Sequence, residues 1–229
     1  MKLVLYDELG STSDEARRQS QDGAPHGTII AARRQTAGRG RQGRAWVSPA
    51  GNVHASFLLR PGVTAARVPE IGFVAALAVA DTVDASLPGG PAAGLKWPND
   101  VQLLGAKVAG ILVELVEGGA VIVGIGVNVA HAPPDMPYPV TCLAAHGCRA
   151  AMEDVLHALV TAFERRWLAW STAGFDPVRD DWLRRGPPLG QTLQVRDGQQ
   201  GRFAGLDADG ALLLETPDGM RRVVAGEVA

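Results

Sequence analysis

Residues 107–130 read KVAGILVELVE, then GGAVIVGIGVNVA: two apolar, β-branched runs joined across Gly118 and Gly119. This is a hairpin signature, and it commits the middle of the chain to an antiparallel strand pair. Other strand-like runs are KLVLYDEL at the N-terminus, GTIIAARRQ, GNVHASFLLRP and the short AGLKWPND, which ends in a turn. Consecutive strands of this kind, alternating with helical segments, predict an α+β fold: a mixed or antiparallel β-sheet with helices on one face.

Four helical segments accompany the sheet. STSDEARRQSQDG has the spacing of a capping box at Thr12 and Glu15, with Gly23 suited to its end. The stretch from Val68 to Leu87 is apolar on most sides and is closed by Pro88 and two glycines, as expected of a buried helix. AMEDVLHALVTAFERRWLAWSTAG is amphipathic and ends near Gly174, and PVRDDWLRR is a further short helix. Beyond GPPLG the texture changes to short strands and turns: QTLQVRD, QGRFAGLD, ALLLETPDG and MRRVVAGEVA. These predict a small β-barrel at residues 186–229, too small for much core of its own and so packed on a main domain at 1–185. No glycine-rich dinucleotide fingerprint follows a first strand, which sets a Rossmann fold aside.

Charge is unevenly distributed. The net charge is −2, yet from Gly23 to Pro69 there is no acidic residue and there are seven arginines: Arg33, Arg34, Arg39, Arg41, Arg44, Arg60 and Arg67. Such a local positive zone on an acidic protein points to a small anion more than to a long polyanion. Within it lies RQTAGRGRQGRAW, residues 34–46, which has neither a helical nor a strand period and is a loop. Glycines at 38, 40 and 43 let backbone approach a ligand closely, and arginines at 39 and 41 can grip carboxylate or phosphate bidentately. Ordering about a dozen such residues costs on the order of 10–20 kcal/mol, so the loop is expected to be mobile when empty and closed when filled.

The chain holds only three lysines, Lys2, Lys96 and Lys107, against 19 arginines. A lysine in such a context suggests a site that wants a compact point charge, and two of the three fall in KWPNDVQLLGAK. Asp100 in that segment has the chemistry to meet a Mg²⁺ ion that keeps most of its waters. The two cysteines, Cys142 and Cys148, give no disulfide framework, and with His146 they fit no familiar zinc spacing, so they read as loop residues. Reduced thiols, no secretory leader and no apolar run of about twenty residues are the pattern of a cytoplasmic protein without a membrane span.

Taken together, STS, GRGRQGRAW, KWPND, GAKVAGILVE and GIGVNV, in this order and at these separations, resemble the biotin protein ligases, which attach biotin to a lysine of a carboxylase carrier domain. The resemblance covers nearly the whole chain. It implies a catalytic domain related to the class II aminoacyl-tRNA synthetases and an SH3-like C-terminal barrel, in the short form without a DNA-binding domain, since the first catalytic strand begins at residue 2. It implies biotin contacts from Ser11, Thr12, Ser13, Gln35, Gly38, Arg39, Gly40, Arg41, Lys107 and Gly110. Nucleotide contacts are implied for Arg41, Arg44, Trp46, Lys96, Asn99 and Asn128, with the Trp46 indole on adenine. Catalysis falls to Arg39, Arg41 and Lys107, and metal binding to Asp100. The implied partners are biotin, ATP with Mg²⁺ and a biotin carboxyl carrier domain, with no DNA or membrane. A homodimer has room to form if the AVIVGIGVNV strand lies at a sheet edge. Gln42, Ser13 and His54 depart from the family pattern, where Arg, Asn and Tyr are frequent. Two rival readings stand beside this one: another acyl-adenylating ligase, such as a lipoate ligase, and a nucleic-acid-binding module using the arginine loop.

Overall fold

The computed structural model describes the whole chain except residues 196, 197, 199, 225, 227 and 229. In chain order the elements are β1 (Lys2–Leu9), α1 (Thr12–Gln21), β2 (Thr28–Gln35), β3 (Val53–Leu59), α2 (Val68–Ser86), β4 (Gly94–Lys96), β5 (Asp100–Leu103), β6 (Ala106–Leu115) and β7 (Val121–Val127). They are followed by α3 (Met152–Ala173), α4 (Asp176–Arg185), β8 (Thr192–Gln194), β9 (Gln200–Leu206), β10 (Leu212–Thr216) and β11 (Gly219–Val223). The expected hairpin is the β6–β7 pair, with Gly110 opposite Gly126 and Leu112 opposite Gly124.

A seven-stranded sheet runs in the order β1-β2-β3-β7-β6-β5-β4, mixed because β1 and β2 are parallel and every other pair is antiparallel. Strand alternation divides its two faces. Ile29, Ala31, Val53, Ala55, Phe57 and Leu59 join one apolar cluster with α2 and α3, where Phe57 stacks on Phe163 at 4.3 Å between ring centres. Ile30, Leu58 and Ile122 point the other way and meet Ala16 of α1. The long helices therefore share one face, as expected, while α1 departs from that arrangement and covers part of the opposite face. The reason lies in α1 itself, which buries only Thr12, Ser13 and Ala16 and has no apolar stripe to compete for the main core.

Two local expectations are corrected. The capping box at Thr12 and Glu15 does not form: Ser11 is the N-cap, the Thr12 hydroxyl is given to Gln35, and Glu15 is held by Arg18 and Gln19. The strand β5 is an addition, pairing Asp100 with Lys96 across the WPN turn. The edge-pairing argument for a homodimer also fails, because β7 has β3 on one side and β6 on the other, and the sheet edges are β1 and β4.

The C-terminal strands form a four-stranded antiparallel sheet, β11-β10-β9-β8, with a further bridge between Val195 and Val228. Parts of the expected strands QTLQVRD and MRRVVAGEVA lie outside the described residues. The small sheet shares the main core: Phe203, Leu212, Leu214 and Val223 belong to the cluster that holds Phe73, Trp97, Phe175 and Trp182. Trp97 donates its indole N–H to the Gly210 carbonyl at 3.1 Å, and a Cβ on Gly210 would stand 2.6 Å from the Phe73 ring. Among the described residues, no helix is long and apolar enough to cross a membrane.

Candidate active site

The face of the sheet opposite α2 and α3 carries a patch without side chains. Gly124 and Gly126 of β7 and Gly110 of β6 form it, and what lies on them would not fit over a methyl group. A Cβ on Gly126 would fall 2.4 Å from the Trp46 indole, one on Gly110 would be 3.0 Å from Trp46 and 3.3 Å from the Lys107 ammonium, and one on Gly124 would be 2.9 Å from Ser13 Oγ. The glycines thus make a floor on which an aromatic ring, a lysine and the start of α1 converge.

One wall is a hydrogen-bonded chain from α1 into the arginine loop. Ser13 and Ser56 hydroxyls meet at 3.0 Å, Ser56 donates to Thr12 Oγ1 at 2.8 Å, and Thr12 gives both its N–H and its hydroxyl to Gln35 Oε1 at 2.8 and 3.0 Å. Because Ser56 and Thr12 spend their hydroxyl protons down this chain, Ser13 is the donor to Ser56. Gln35 in turn donates to Ser48 Oγ at 2.8 Å, and Ser48 donates to the Trp46 carbonyl at 2.9 Å. Gln35 therefore links the helix start to the far end of the loop. Gly38 sits where these groups crowd, with its missing Cβ 2.5 Å from both Ser48 Oγ and the Trp46 carbonyl oxygen.

The loop itself is folded over the floor. The Trp46 N–H reaches the Gly38 carbonyl at 2.9 Å, Gly40 N–H reaches Arg44 at 2.7 Å, and Ala37 N–H reaches Gly10 at 2.8 Å. These bonds offset part of the ordering cost, so the loop has more internal order than composition alone suggests. Gln42 is the exposed tip, in the left-handed region at φ 56°.

Charges are arranged around the loop. Arg39 is ion-paired with Asp14 of α1. Arg41 turns the other way, donating to Asn99 Oδ1 at 3.0 Å and the Gly226 carbonyl at 3.3 Å. Burial pushes its guanidinium down from the ordinary value while Asp100 pulls it back up, and it remains a cation. Asn99 also donates to the Ile111 carbonyl at 2.9 Å, tying the WPN turn to β6. The Lys107 ammonium meets Asp100 Oδ1 at 2.7 Å and lies 5.5 Å from the Trp46 ring centre and 5.7 Å from that of Tyr138.

Two cavities flank Trp46 and Lys107. The first, about 60 Å³, is lined by Ser11, Thr12, Ser13, Gln35, Arg39, Gly40, Arg41, Arg44, Asn99, Asp100 and Gly110 among others. The second, about 30 Å³, lies between Trp46 and the 133–140 segment and takes in Asn128, Pro133, Met136, Tyr138 and Val140. Trp46 and Lys107 belong to both. Gly38 supports the loop from beneath, and Asn128 is held by its amide to the Thr141 carbonyl at 3.0 Å. Lys96 is set apart, in a groove with Gln102 and Arg185. Cys142 and Cys148 are free thiols, and His146 faces the Thr141 hydroxyl at 2.9 Å.

His54 is buried on the floor's face of β3, directly opposite Gly126. Its Nε2 meets the Pro49 carbonyl at 3.1 Å, which makes Nε2 the protonated nitrogen, and Nδ1 has no partner among the described residues. Burial pushes its pKa down, and His26, whose Nδ1 accepts from Arg60 N–H at 3.0 Å, is shifted the same way by burial. Above about pH 6.5 both residues are neutral folded or unfolded and cost nothing. As the pH falls below that, the unfolded chain takes up the protons first, so stability declines, by up to about 1.4 kcal/mol per pH unit for the buried His54. Urea unfolding at pH 7.5 and 5.5 is expected to give a smaller loss for His54→Gln than for the parent. An equal loss in both would remove His54 from the account. The depressed carboxylates do not interfere: Glu15, brought down to about 2 chiefly by Arg18, acts only in stronger acid.

Residues 10–129 match the Biotin/lipoate A/B protein ligase family, and residues 189–229 match the Biotin protein ligase C terminal domain. Over 233 aligned residues the chain is 43% identical to the biotin–[acetyl-CoA-carboxylase] ligase of Paracoccus denitrificans, covering 95% of this chain and 96% of that one. The chain belongs to the biotin protein ligase family. Another member, the bifunctional ligase/repressor BirA of Bacillus subtilis, is 34% identical over 99% of this chain and 73% of its own length. Among solved ligases, that of Aquifex aeolicus in complex with biotin and ATP superposes with a TM-score of 0.87 at 28% identity, covering 100% of this chain and 97% of that one. The Leishmania major ligase in complex with biotinyl-5-AMP superposes with a TM-score of 0.65 at 25% identity, covering 98% and 99%.

For a ligase of this family, sequence reasoning left out several residues that the pocket uses. Gly124 and Gly126 were signalled by GIGVNV, since glycine inside a strand marks close approach. Ser48 and Ser56 complete the polar wall, and nothing in their local sequence marks them. Tyr138 comes from the irregular PPDMPYPV segment and has no local signal at all.

Proposed function

We propose that this protein activates biotin with ATP to give biotinyl-5′-AMP and pyrophosphate, and then transfers biotin to a lysine of a biotin carboxyl carrier domain. The carrying observation is the position of Lys107 and Trp46, shared by two cavities. One is walled by the Ser11–Thr12–Ser13 and Gln35 hydrogen-bond chain and suits the ureido ring and acyl chain of biotin. The other, between Trp46, Tyr138 and Asn128, suits a nucleotide base. A lysine between them stands where carboxylate and α-phosphate must meet.

The first step brings two anions together, attack by the biotin carboxylate on the α-phosphorus with pyrophosphate leaving. Lys107, Arg39 and Arg41 are preorganised to offset that repulsion, which is positioning plus electrostatics with no protein nucleophile. Before substrate arrives, Asp100 holds Lys107 in place as a carboxylate stand-in. Magnesium enters with the triphosphate as part of the substrate. Asp100 lines the pocket and is the carboxylate suited to meet its water shell. Arg44, at the loop's outer end, is the candidate for the nucleotide's phosphates or ribose. Once formed, the mixed anhydride is open to hydrolysis, and the folded loop excludes water until the carrier lysine attacks its carbonyl and AMP departs.

Isotope exchange between pyrophosphate and ATP tests the first step. Exchange is expected with biotin and absent without it; exchange supported by lipoate and not by biotin would overturn the proposal in favour of a lipoate ligase.

A further inference from the structure

A chain of alternating charges runs from the sheet to the arginine loop. It begins at Glu114 of β6, whose Oε1 takes Arg17 Nη2 at 2.9 Å, while its Oε2 is buried without a hydrogen-bond partner among the described residues. Arg17, on the second turn of α1, reaches back with Nη1 to Asp14 Oδ1 at 2.8 Å. The same Asp14 oxygen takes the Arg39 guanidinium from the loop. A carboxylate partly withdrawn from water holds its cation firmly, because giving it up would leave an uncompensated buried charge. Arg17 is thus clamped, Asp14 is oriented by Arg17, and Arg39 is the one member carried on the loop. At its other shoulder the loop is tied by Arg41 to Asn99. Asp14 and Arg17 are outside the catalytic chemistry described above, and Glu114 stands on β6 away from the reacting groups.

We propose that Glu114, Arg17 and Asp14 form a positioning relay that latches the loop shut through Arg39 and so sets how long the acyl-adenylate is retained. The residues act through Arg39 and touch no substrate. The retention half of the inference rests on the proposed ligase activity, whereas the latch itself does not. An exposed ion pair is worth up to about 1 kcal/mol, so severing the chain should raise loop opening by roughly threefold to fivefold.

The test uses the full chain with Asp14→Asn, Arg17→Gln and the conservative Asp14→Glu. Without ligand, amide hydrogen exchange at Gly40 and Trp46 is expected to rise roughly threefold to fivefold in Asp14→Asn and Arg17→Gln, and to return toward the parent in Asp14→Glu. With biotin and MgATP but no carrier, release of biotinyl-5′-AMP into solution should rise by the same factor, while pyrophosphate exchange stays within about twofold of the parent. Unchanged amide exchange and unchanged release in Asp14→Asn and Arg17→Gln would overturn the relay. A fall in pyrophosphate exchange matching that of an Arg39 variant would overturn it too, by assigning Asp14 to the chemistry. If the parent forms no adenylate, the ligase reading fails by itself, and amide exchange still decides the latch.

Discussion

Lys107→Met should lower biotin-dependent pyrophosphate exchange by roughly a hundredfold to a thousandfold, at unchanged unfolding midpoint. Methionine keeps the stem that lies beside Gly110 and loses only the charge. That charge sits between the two cavities, within 2.7 Å of a carboxylate and over two aromatic rings. Removing one preorganised group that stabilises charge in a transition state costs about 2.7–4 kcal/mol. The fold does not depend on it, since Lys107 is joined to the 139–141 segment by backbone bonds, its N–H to Pro139 and its carbonyl to Thr141, both at 2.9 Å. Steady-state exchange assays beside urea unfolding check both halves, and a well-folded variant with parental exchange would refute the assignment of Lys107.

Gly126→Ala is expected to weaken biotin binding about thirtyfold, with little effect on global stability. The backbone of β7 tolerates alanine at this extended position, so the effect is steric. The new methyl would stand 2.4 Å from the Trp46 indole, too close for any relaxation short of moving the ring and the loop behind it. Overpacking of this kind costs about 1–3 kcal/mol, here charged against the closed loop more than the sheet. Gly72→Ala on α2 is the control, because its Cβ would meet Val113 at an ordinary 3.5 Å. Calorimetric titration with biotin separates them, and equal affinities for the two variants would mean that the glycine floor does not shape the pocket.

Much of this was readable in the sequence because it rests on local rules. The β6–β7 hairpin follows from two β-branched runs across a Gly-Gly turn, and α2 from a stretch that is apolar on most sides. What escaped was set by tertiary choice. The helix α1 is polar throughout apart from Ala16, so its pattern does not say which face of the sheet it covers. Thr12 has the spacing of a capping residue, yet its hydroxyl serves Gln35, 23 positions away, in the wall of the pocket. Lys96 and Lys107 share one short segment, but only Lys107 turns to the floor. The loop's arginines also argue against the nucleic-acid reading: Arg39 is paired with Asp14 and Arg41 is turned inward to Asn99, instead of the two forming a free basic face.

On the proposed function, one site both activates biotin and hands it to a protein lysine. Mass spectrometry of a biotin carboxyl carrier domain incubated with this protein, biotin, ATP and Mg²⁺ tests it most directly. The account predicts addition of one biotinyl group to a single lysine, dependent on ATP and lost with Lys107→Met. An unmodified carrier, or modification that proceeds equally without ATP, would contradict it.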